Sequence, residues 1–267
     1  MSLQHLLPNF IAIPAVPFRM GTPERDLSPL AKAYGGTRES YREESPQYTV
    51  TLPAFEIAAT PVTNALYARF VAATSAPPPI TWRGTAPPAD LLDHPVVDVS
   101  WHDARAFCMW LTDDGRTTND ERTGESGNLR HSSSVFRLPT EAEWEHAARG
   151  TDGRTFPWGA EWDNTRANTR ESGYGTTTPV GALPAGASPY GCLDMAGNVW
   201  EWTSTLDALY PYDPADVRED PAAAGRRILR GGCYANPHGF ARCACRFRLP
   251  PAMRNEFLGF RLARSVS

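Results

Sequence analysis

Apolar side chains recur at helical spacing in three segments of the chain, and each segment begins with a residue that can cap a helix. In residues 61–73, Thr63 can accept a hydrogen bond from a free backbone amide, and the apolar positions that follow share one face. Residues 99–111 repeat this pattern behind Ser100, and Cys108 falls on the apolar face. Because an unpaired cysteine behaves as a small buried hydrophobic residue, Cys108 is predicted to lie in the core.

The third segment, residues 138–150, has the clearest boundaries. Thr140 and Glu143 have the spacing of a capping box, in which each side chain accepts a hydrogen bond from the backbone amide of the other. Gly150 follows the last periodic position, where a glycine commonly ends a helix. Beyond Gly150 helical periodicity is nearly absent. We therefore predict three helices, followed by a half of the chain that consists mainly of packed loops.

Strands are predicted where short apolar or β-branched runs are bounded by Pro, Gly or polar turns. Such runs lie within residues 11–20, 48–57 and 227–230. Two polar stretches, residues 112–134 and 207–226, are interpreted as surface excursions.

The composition favours a loop-rich globular fold. The chain has 267 residues, of which 41% are apolar, and this is enough to bury a substantial core. Its 21 glycines and 25 prolines exceed ordinary usage, and 8 Trp, 9 Tyr and 11 Phe residues supply large rigid anchors. The 26 basic and 30 acidic side chains give a net charge of -4, which indicates neither a polyanion-coating protein nor an acidic tail.

Cysteine usage and targeting signals suggest a reducing compartment. The cysteines are an odd set without a CxxC pair, which is not the pattern of a disulfide framework or a zinc ribbon: Cys108, Cys192, Cys233, Cys243 and Cys245. No segment approaches the roughly 20 apolar residues of a membrane helix. The first ten residues lack the basic start and long apolar stretch of a secretory signal. We expect a cytoplasmic protein without a membrane partner.

Short motifs run through the chain in a fixed order. They are FRMG at 18–21, PVTN at 61–64, HPVVDVSW at 94–101, RLPTEAEWE at 137–145, FPWG at 156–159, GNVWEW at 197–202, RGG at 230–232 and LGFR at 258–261. Together they resemble the formylglycine-generating enzyme (sulfatase-modifying factor) superfamily. The resemblance implies an α+β, loop-rich C-type lectin fold of that subtype, with a small twisted antiparallel sheet. It divides the chain into an N-terminal extension, residues 1–8, and one domain, residues 9–267.

The resemblance also implies a test for catalysis. The oxidases of this superfamily bind Cu(I) through two cysteines that follow the glycine pair, and thiolates suit this soft ion. The matching positions here are Asn236 and Ala241, and neither can supply a thiolate. Cys243 and Cys245 are nearby, but in an extended segment their side chains would lie roughly 6 to 7 Å apart, too far for one linear two-coordinate ion. No copper is therefore expected.

Calcium is a second ion that the resemblance implies. Members of the superfamily often bind it in the loop-rich half through oxygen atoms, the donors that calcium prefers. The matching donors here are the side chains of Asp194 and Glu201 and the carbonyls of Gly197 and Val199, with a second site near Asn168. The alternative is that Asp194 and Glu201 only cap turns.

Residues 233–257 carry the most informative pattern. Four arginines in it, Arg242, Arg246, Arg248 and Arg254, match those that brace loops in ordinary members of the superfamily. Other positions hold residues that all become accessible when the first two bases of an AAC codon are randomised. We call this set the C-terminal face: Tyr234, Ala235, Asn236, His238, Gly239, Phe240, Cys245, Phe247, Leu249, Pro250, Asn255 and Phe257.

This composition resembles the variable proteins of diversity-generating retroelements. In those proteins a C-terminal lectin-fold repeat is mutated at template adenines, which diversifies a ligand site. Apolar side chains within an otherwise polar pattern point the same way, because exposed apolar area marks a surface that meets a partner. The alternative is that some of these aromatic residues fill the core.

Two functions therefore remain open. The favoured hypothesis is a non-enzymatic binding protein, most specifically a retroelement variable protein whose C-terminal face binds a protein or a small molecule. The alternative is a copper-dependent oxidase of the formylglycine-generating type that acts on a peptidyl cysteine. Nucleic acid is not an expected partner, because arginines spaced within a scaffold usually contact carboxylates and carbonyls.

Overall fold

Four helices and ten short strands, joined by long loops, make up the part of the chain that the computed structural model describes, residues 3–120, 135–212 and 217–266. The helices are α1 (Leu27–Tyr34), α2 (Asn64–Thr74), α3 (Trp101–Asp120) and α4 (Glu141–Arg149). The strands are β1 (Phe10–Ile13), β2 (Phe18–Met20), β3 (Tyr48–Val50), β4 (Phe55–Ala58), β5 (Phe136–Arg137), β6 (Trp200–Leu206), β7 (Arg227–Arg230), β8 (Phe247–Leu249), β9 (Leu258–Gly259) and β10 (Ala263–Ser265).

The three helices predicted from the sequence are present, and their predicted caps are formed. The side chain of Thr63 accepts a backbone hydrogen bond at the start of α2. At α4, Glu143 N donates to Thr140 Oγ1 over 3.1 Å, and Thr140 N donates to Glu143 Oε2 over 2.8 Å. At α3, Asp103 N donates to Ser100 Oγ over 3.2 Å. Local capping chemistry thus fixes where these helices begin.

The prediction of a surface excursion at 112–134 is wrong at its start, because α3 continues to Asp120. Thr112 is buried in this helix, where its hydroxyl donates to Cys108 O and accepts a hydrogen bond from Phe136 N, each over 2.9 Å. Residues 121–134 lie outside the described residues, as do 213–216 of the other predicted excursion. Helix α1 was not predicted, since its single buried residue, Leu27, leaves little apolar periodicity.

Strands from distant parts of the sequence form three sheets. Their orders are β1-β4-β10-β5, β2-β3 and β8-β7-β6-β9. The predicted run 11–20 divides between β1 and β2, and the run 48–57 divides between β3 and β4. Pairing is antiparallel except for the short β6/β9 contact, in which Trp200 lies opposite Leu258. The α+β class with small antiparallel sheets is confirmed, with this one parallel pair as the exception.

Strand β6 was missed by the sequence prediction, although it lies in the middle of the third sheet. All of its residues except Ser204 are buried, so its sequence does not alternate between apolar and polar positions. Its register places Glu201 opposite Arg230 of β7. This strand therefore places a buried carboxylate opposite the last residue of β7, shortly before residues 233–257 begin.

The main hydrophobic cluster joins α2 and α3 to the C-terminal strands. The Tyr67 and Phe107 rings stack at 5.6 Å, and both meet Phe260 edge-on. Cys108 lies in this cluster at 3% exposure, which confirms its predicted place. All five cysteines are free and buried. Among the residues described, no helix combines the length and apolar character that crossing a membrane requires.

A candidate binding face and its scaffold

The segment that carries the C-terminal face begins at a glycine turn and ends just before β9. Gly232 has φ +74, and a Cβ atom there would lie 3.0 Å from Phe240 O. Only glycine fits such a close approach in the left-handed region. The turn therefore folds the loop back on itself and brings Phe240 beside the start of the segment.

Most of the C-terminal face is accessible to solvent. Its exposed members are Ala235, Phe240, Phe247 and Pro250, and its half-buried members are Tyr234, Asn236, His238, Gly239, Leu249, Asn255 and Phe257. Cys245 is the exception, since it is only 5% exposed and packs into the main cluster. The segment turns Cys245 inward, so the thiol does not reach the accessible part of the face.

Trp200 forms a floor beneath the exposed aromatic residues. Its ring lies 5.3 Å from that of Phe247 and 6.4 Å, edge-on, from that of Phe240. Its indole Nε1 donates to Asn236 Oδ1 over 2.7 Å. Phe240 and Phe247 are 42% and 39% exposed, whereas Trp200 is only 5% exposed. Two aromatic side chains thus remain open to solvent on a rigid aromatic base.

A second aromatic contact extends the face, and it supports in part the alternative that some residues fill the core. The rings of Tyr234 and Phe257 lie 5.4 Å apart. Leu249 and Phe257 are half-buried and pack against the main cluster. The C-terminal face therefore contains exposed residues, Phe240 and Phe247, as well as residues that also pack against the core, Leu249 and Phe257.

The predicted bracing role of the four arginines is confirmed. The two buried ones, Arg242 and Arg246, form paired hydrogen bonds with Glu44 (2.8 and 2.6 Å) and with Glu141 (2.6 and 3.0 Å). The two partly exposed ones also form ion pairs. Arg248 pairs with Glu43 and Asp207, and Arg254 pairs with Asp103. Each arginine in the segment is committed to a carboxylate of the scaffold.

Glu141 is the centre of the most deeply buried part of this scaffold. Besides Arg246, its carboxylate receives hydrogen bonds from the hydroxyls of Tyr210 (3.1 Å) and Tyr212 (3.2 Å) and contacts Arg230 at 3.4 Å. Burial alone would raise the pKa of this carboxyl, but the two guanidinium groups hold it below its ordinary value. Glu141 therefore remains ionised inside the protein.

The positions that hold copper thiolates in the superfamily do not fit copper here. The side-chain oxygen of Asn236 accepts a hydrogen bond from Trp200, and Ala241 is buried. The prediction that Cys243 and Cys245 lie in an extended segment is wrong, because they occupy a turn and pack into two different hydrophobic clusters. Burial raises the pKa of each thiol to about 12. These two thiols therefore lie in separate parts of the core.

The first predicted calcium site has a carboxylate that already has partners. Glu201 is fully buried, and its oxygens receive hydrogen bonds from Arg261 (2.6 and 2.7 Å) and from Trp144 Nε1 (2.8 Å). A calcium ion there would have to share Glu201 with Arg261. Asp194 accepts from Gly181 N over 2.7 Å, and burial raises its pKa to about 6.

At the second predicted calcium site the donors are held differently. The carbonyl of Asn168 accepts from Asn198 N over 2.7 Å, and the Gly197 backbone runs directly alongside. Asn168 Oδ1 is buried and lacks a hydrogen-bond partner in the described part of the chain, which is the state of an oxygen that an ion could use. Val199, which like Gly197 was predicted as a carbonyl donor of the first site, is buried. Calcium stays a prediction at both places.

Sequence reasoning did not identify the residues that border the face next to His238. The His238 ring stacks on Trp162 at 4.9 Å and meets Tyr34 edge-on at 5.4 Å. Its Nδ1 lies 3.0 Å from Glu171 Oε1. The carboxylate also accepts from the His238 amide, and these contacts lower the pKa of Glu171 to about 2 despite its partial burial. No local sequence signal marks these residues, since they meet only in the fold.

The sequence matches the model of the sulfatase-modifying factor enzyme 1-like domain over residues 2–266. It is 32% identical to the formylglycine-generating enzyme of Streptomyces coelicolor over 280 residues, which covers 82% of this chain and 81% of that protein. It is also 32% identical to the serine/threonine-protein kinase pkn1 of Chlamydia caviae over 254 residues, covering 86% of this chain. The chain spans only 36% of the length of that kinase.

A solved structure supplies the third comparison. Variable protein 1 of Treponema denticola matches this fold with a TM-score of 0.69 and 27% identity, over 96% of this chain and 95% of that chain. These similarities confirm the C-type lectin fold that the motifs imply. These three similar proteins thus include two named as enzymes and one named as a variable protein.

Proposed function

The chain belongs to the sulfatase-modifying factor enzyme 1-like family, and from this premise we propose that it is a non-enzymatic member that binds a ligand through the C-terminal face. The observation that carries the proposal is that some side chains of residues 233–257 stabilise the fold whereas others are exposed. Arg242 and Arg246 are buried and paired, whereas Phe240 and Phe247, which flank them in the sequence, are exposed. Such a segment can present side chains without using them to hold the fold.

The finer proposal is that the protein is the variable protein of a diversity-generating retroelement. The face residues are those that randomised AAC codons can encode, and the likeness to variable protein 1 of Treponema denticola covers nearly the whole chain. Diversification at these positions requires that most of them tolerate change. Inspection of the adjacent DNA for a reverse transcriptase and a template repeat that differs at adenines is the direct genetic test.

A macromolecular ligand suits the face better than a small one. Exposed aromatic side chains on a buried aromatic base form the usual centre of a protein interface, where they contribute most of the binding energy. Phe240 and Phe247 on Trp200 have this arrangement, and Ala235 and Pro250 extend the apolar area. We therefore favour a protein partner.

Substitutions in the face should leave the fold nearly intact. Phe240→Ser and Phe247→Ser remove side chains that are about 40% exposed, so each should change the free energy of unfolding by only about 0.5 kcal/mol. Trp200→Ala should cost roughly 3 to 5 kcal/mol, because it empties the buried floor. Denaturant melts of the three variants measure the difference. If Phe240→Ser and Phe247→Ser lowered the free energy of unfolding as much as Trp200→Ala, the C-terminal face would be part of the hydrophobic core.

The protein should not convert a sulfatase-type cysteine peptide to an aldehyde in the presence of copper and oxygen. The reason is that Asn236 and Ala241 occupy the thiolate positions, while Cys243 and Cys245 point into different clusters. Peptide mass spectrometry is the measurement, with an active formylglycine-generating enzyme as the positive control. Stoichiometric loss of the thiol to an aldehyde would favour the oxidase alternative, to which the Streptomyces coelicolor likeness points.

A further inference from the structure

A polar concavity of about 210 Å³ lies between the end of α4 and the loop that follows β2. It is smaller than the sites of drug-sized ligands, which begin at roughly 300 Å³. Its lining contains more basic than acidic side chains. The charged residues that line it are Arg19, Arg25, Arg149, Arg242, Asp26 and Asp152.

Two arginines of this lining are buried, and Arg149, unlike Arg242, has an unused edge. The residue is 4% exposed, and its Nη1 makes every hydrogen bond that the side chain forms within the described residues. The acceptors are Gly21 O at 2.8 Å, Arg19 O at 3.1 Å and Glu145 Oε1 at 2.9 Å. Its Nε is buried and has no hydrogen-bond partner among the residues that the structure describes. Because buried N–H groups almost always have a partner, this one marks a place for an acceptor.

The unused nitrogens are arranged to bind two oxygens. Nε and Nη2 form one side of the planar guanidinium, and Arg149 uses neither in a hydrogen bond within the described part of the chain. Such an edge binds oxygen atoms of a carboxylate or phosphate through two parallel hydrogen bonds. Arg149 therefore offers a fork of two parallel N–H donors. The contact of its Nη1 with Glu145 holds the guanidinium group in position.

Two further guanidinium groups are available at the rim. Arg19 is exposed, and no carboxylate pairs with it among the residues described. Arg25 is 82% exposed and lies 3.8 Å from Asp26, the one carboxylate within ion-pair distance of it in the described chain. The other acidic side chain, Asp152, is committed to Arg154 over 2.7 Å. Positive charge thus exceeds negative charge at the opening of the concavity.

The framework around the concavity is fixed before any ligand arrives. Gly21 N donates to Glu145 Oε1 over 2.7 Å, and Gly21 O accepts from both Arg149 and Gln47. A Cβ atom at residue 21 would lie 2.8 Å from Glu44 O, so the loop can pass here only as glycine. The base of the concavity therefore needs little reorganisation to accept an anion.

We propose that this concavity binds a phosphate group, either free or as a small phosphate monoester, on the unused edge of Arg149. Arg19 and Arg25 close over it from the rim. A doubly charged tetrahedral group offers oxygens to all three guanidinium groups, whereas a carboxylate has only two oxygens. The site is independent of the C-terminal face, and either can fail without the other.

The test is calorimetric titration with inorganic phosphate and, separately, with glycerol 3-phosphate, at constant ionic strength set by sodium chloride. Saturable binding of one or both is expected, and the tighter of the two identifies the source of the phosphate group. Arg19→Gln and Arg25→Gln should each raise the dissociation constant about tenfold, the scale of one charge-assisted hydrogen bond. Arg69→Gln removes an exposed charge elsewhere, on α2, and should leave the constant within about twofold.

Arg149→Lys tests the fork itself, since lysine keeps the charge but lacks the paired N–H groups. This variant also loses contacts to Gly21, so a thermal melt must accompany its titration. Arg19→Gln and Arg25→Gln remove no side-chain contact to Gly21, so weaker phosphate binding by these variants reports on the loss of the guanidinium groups alone. Absence of saturable binding to both phosphates would overturn the proposal, as would equal weakening by Arg69→Gln and Arg19→Gln.

Discussion

Glu141→Gln should lower the free energy of unfolding by about 3 to 5 kcal/mol, the usual cost of breaking one partner out of a buried ion pair. The amide keeps the shape of the side chain but removes the charge that Arg246 and Arg230 share, and all three side chains are almost completely buried. The loss comes mainly from guanidinium groups that are left without compensation in a dry environment. Equilibrium denaturation in urea is the measurement.

A matched control for this prediction is Glu39→Gln. Glu39 also pairs with an arginine, Arg42, but at 3.5 Å and with both side chains about 70% exposed. Solvent screens such pairs, so this substitution should change stability by no more than about 0.5 kcal/mol. If the two variants were equally stable, the buried network around Glu141 would not be what holds residues 233–257 in place.

His146 should make the protein lose stability as the pH falls from 6.5 to 4. The ring is fully buried and stacks on Phe18 at 4.4 Å. Its Nε2 shares a hydrogen bond of 3.0 Å with the Tyr190 hydroxyl, whereas its Nδ1 has no partner among the described residues. Burial lowers its pKa from 6.5 to about 4. Below pH 6.5 the unfolded chain therefore binds a proton that the native protein does not bind, and the free energy of unfolding falls by up to about 3 kcal/mol.

The measurement is a pair of stability profiles, one for the unchanged protein and one for His146→Phe. Asp194 titrates in the opposite sense, because its raised pKa of about 6 makes the native state bind a proton first. The difference between the two profiles removes that contribution. The difference in the free energy of unfolding should be constant above pH 6.5. Below pH 6.5 it should change so that His146→Phe becomes more stable relative to the unchanged protein. Parallel profiles down to pH 4 would contradict the assignment.

Local signals were enough to predict what depends on neighbouring residues. The Thr140 and Glu143 capping box, the Thr63 cap and the core position of Cys108 all follow from spacings of a few residues. The family motifs added the fold class and the bracing role of Arg242 and Arg246. These features share one property, which is that they leave a mark in short stretches of sequence.

The remaining features arise only when distant residues meet. Arg242 and its partner Glu44 are 198 positions apart, and neither sequence context specifies the other. Strand β6 is buried on both faces, so its residues lack the alternation that marks a half-buried strand. The turn that separates Cys243 from Cys245 likewise depends on packing into two clusters rather than on local propensity.

The dependence of the bracing arginines on remote carboxylates sets a rule for loop grafting. If residues 233–257 were transplanted onto a related scaffold, they would carry Arg242 and Arg246 with them but leave Glu44 and Glu141 behind. A recipient without acidic side chains at both places would receive unpaired cations in its interior. The loop is therefore interchangeable only among hosts that already hold the matching acids, whereas its outward residues can be redesigned freely in any of them.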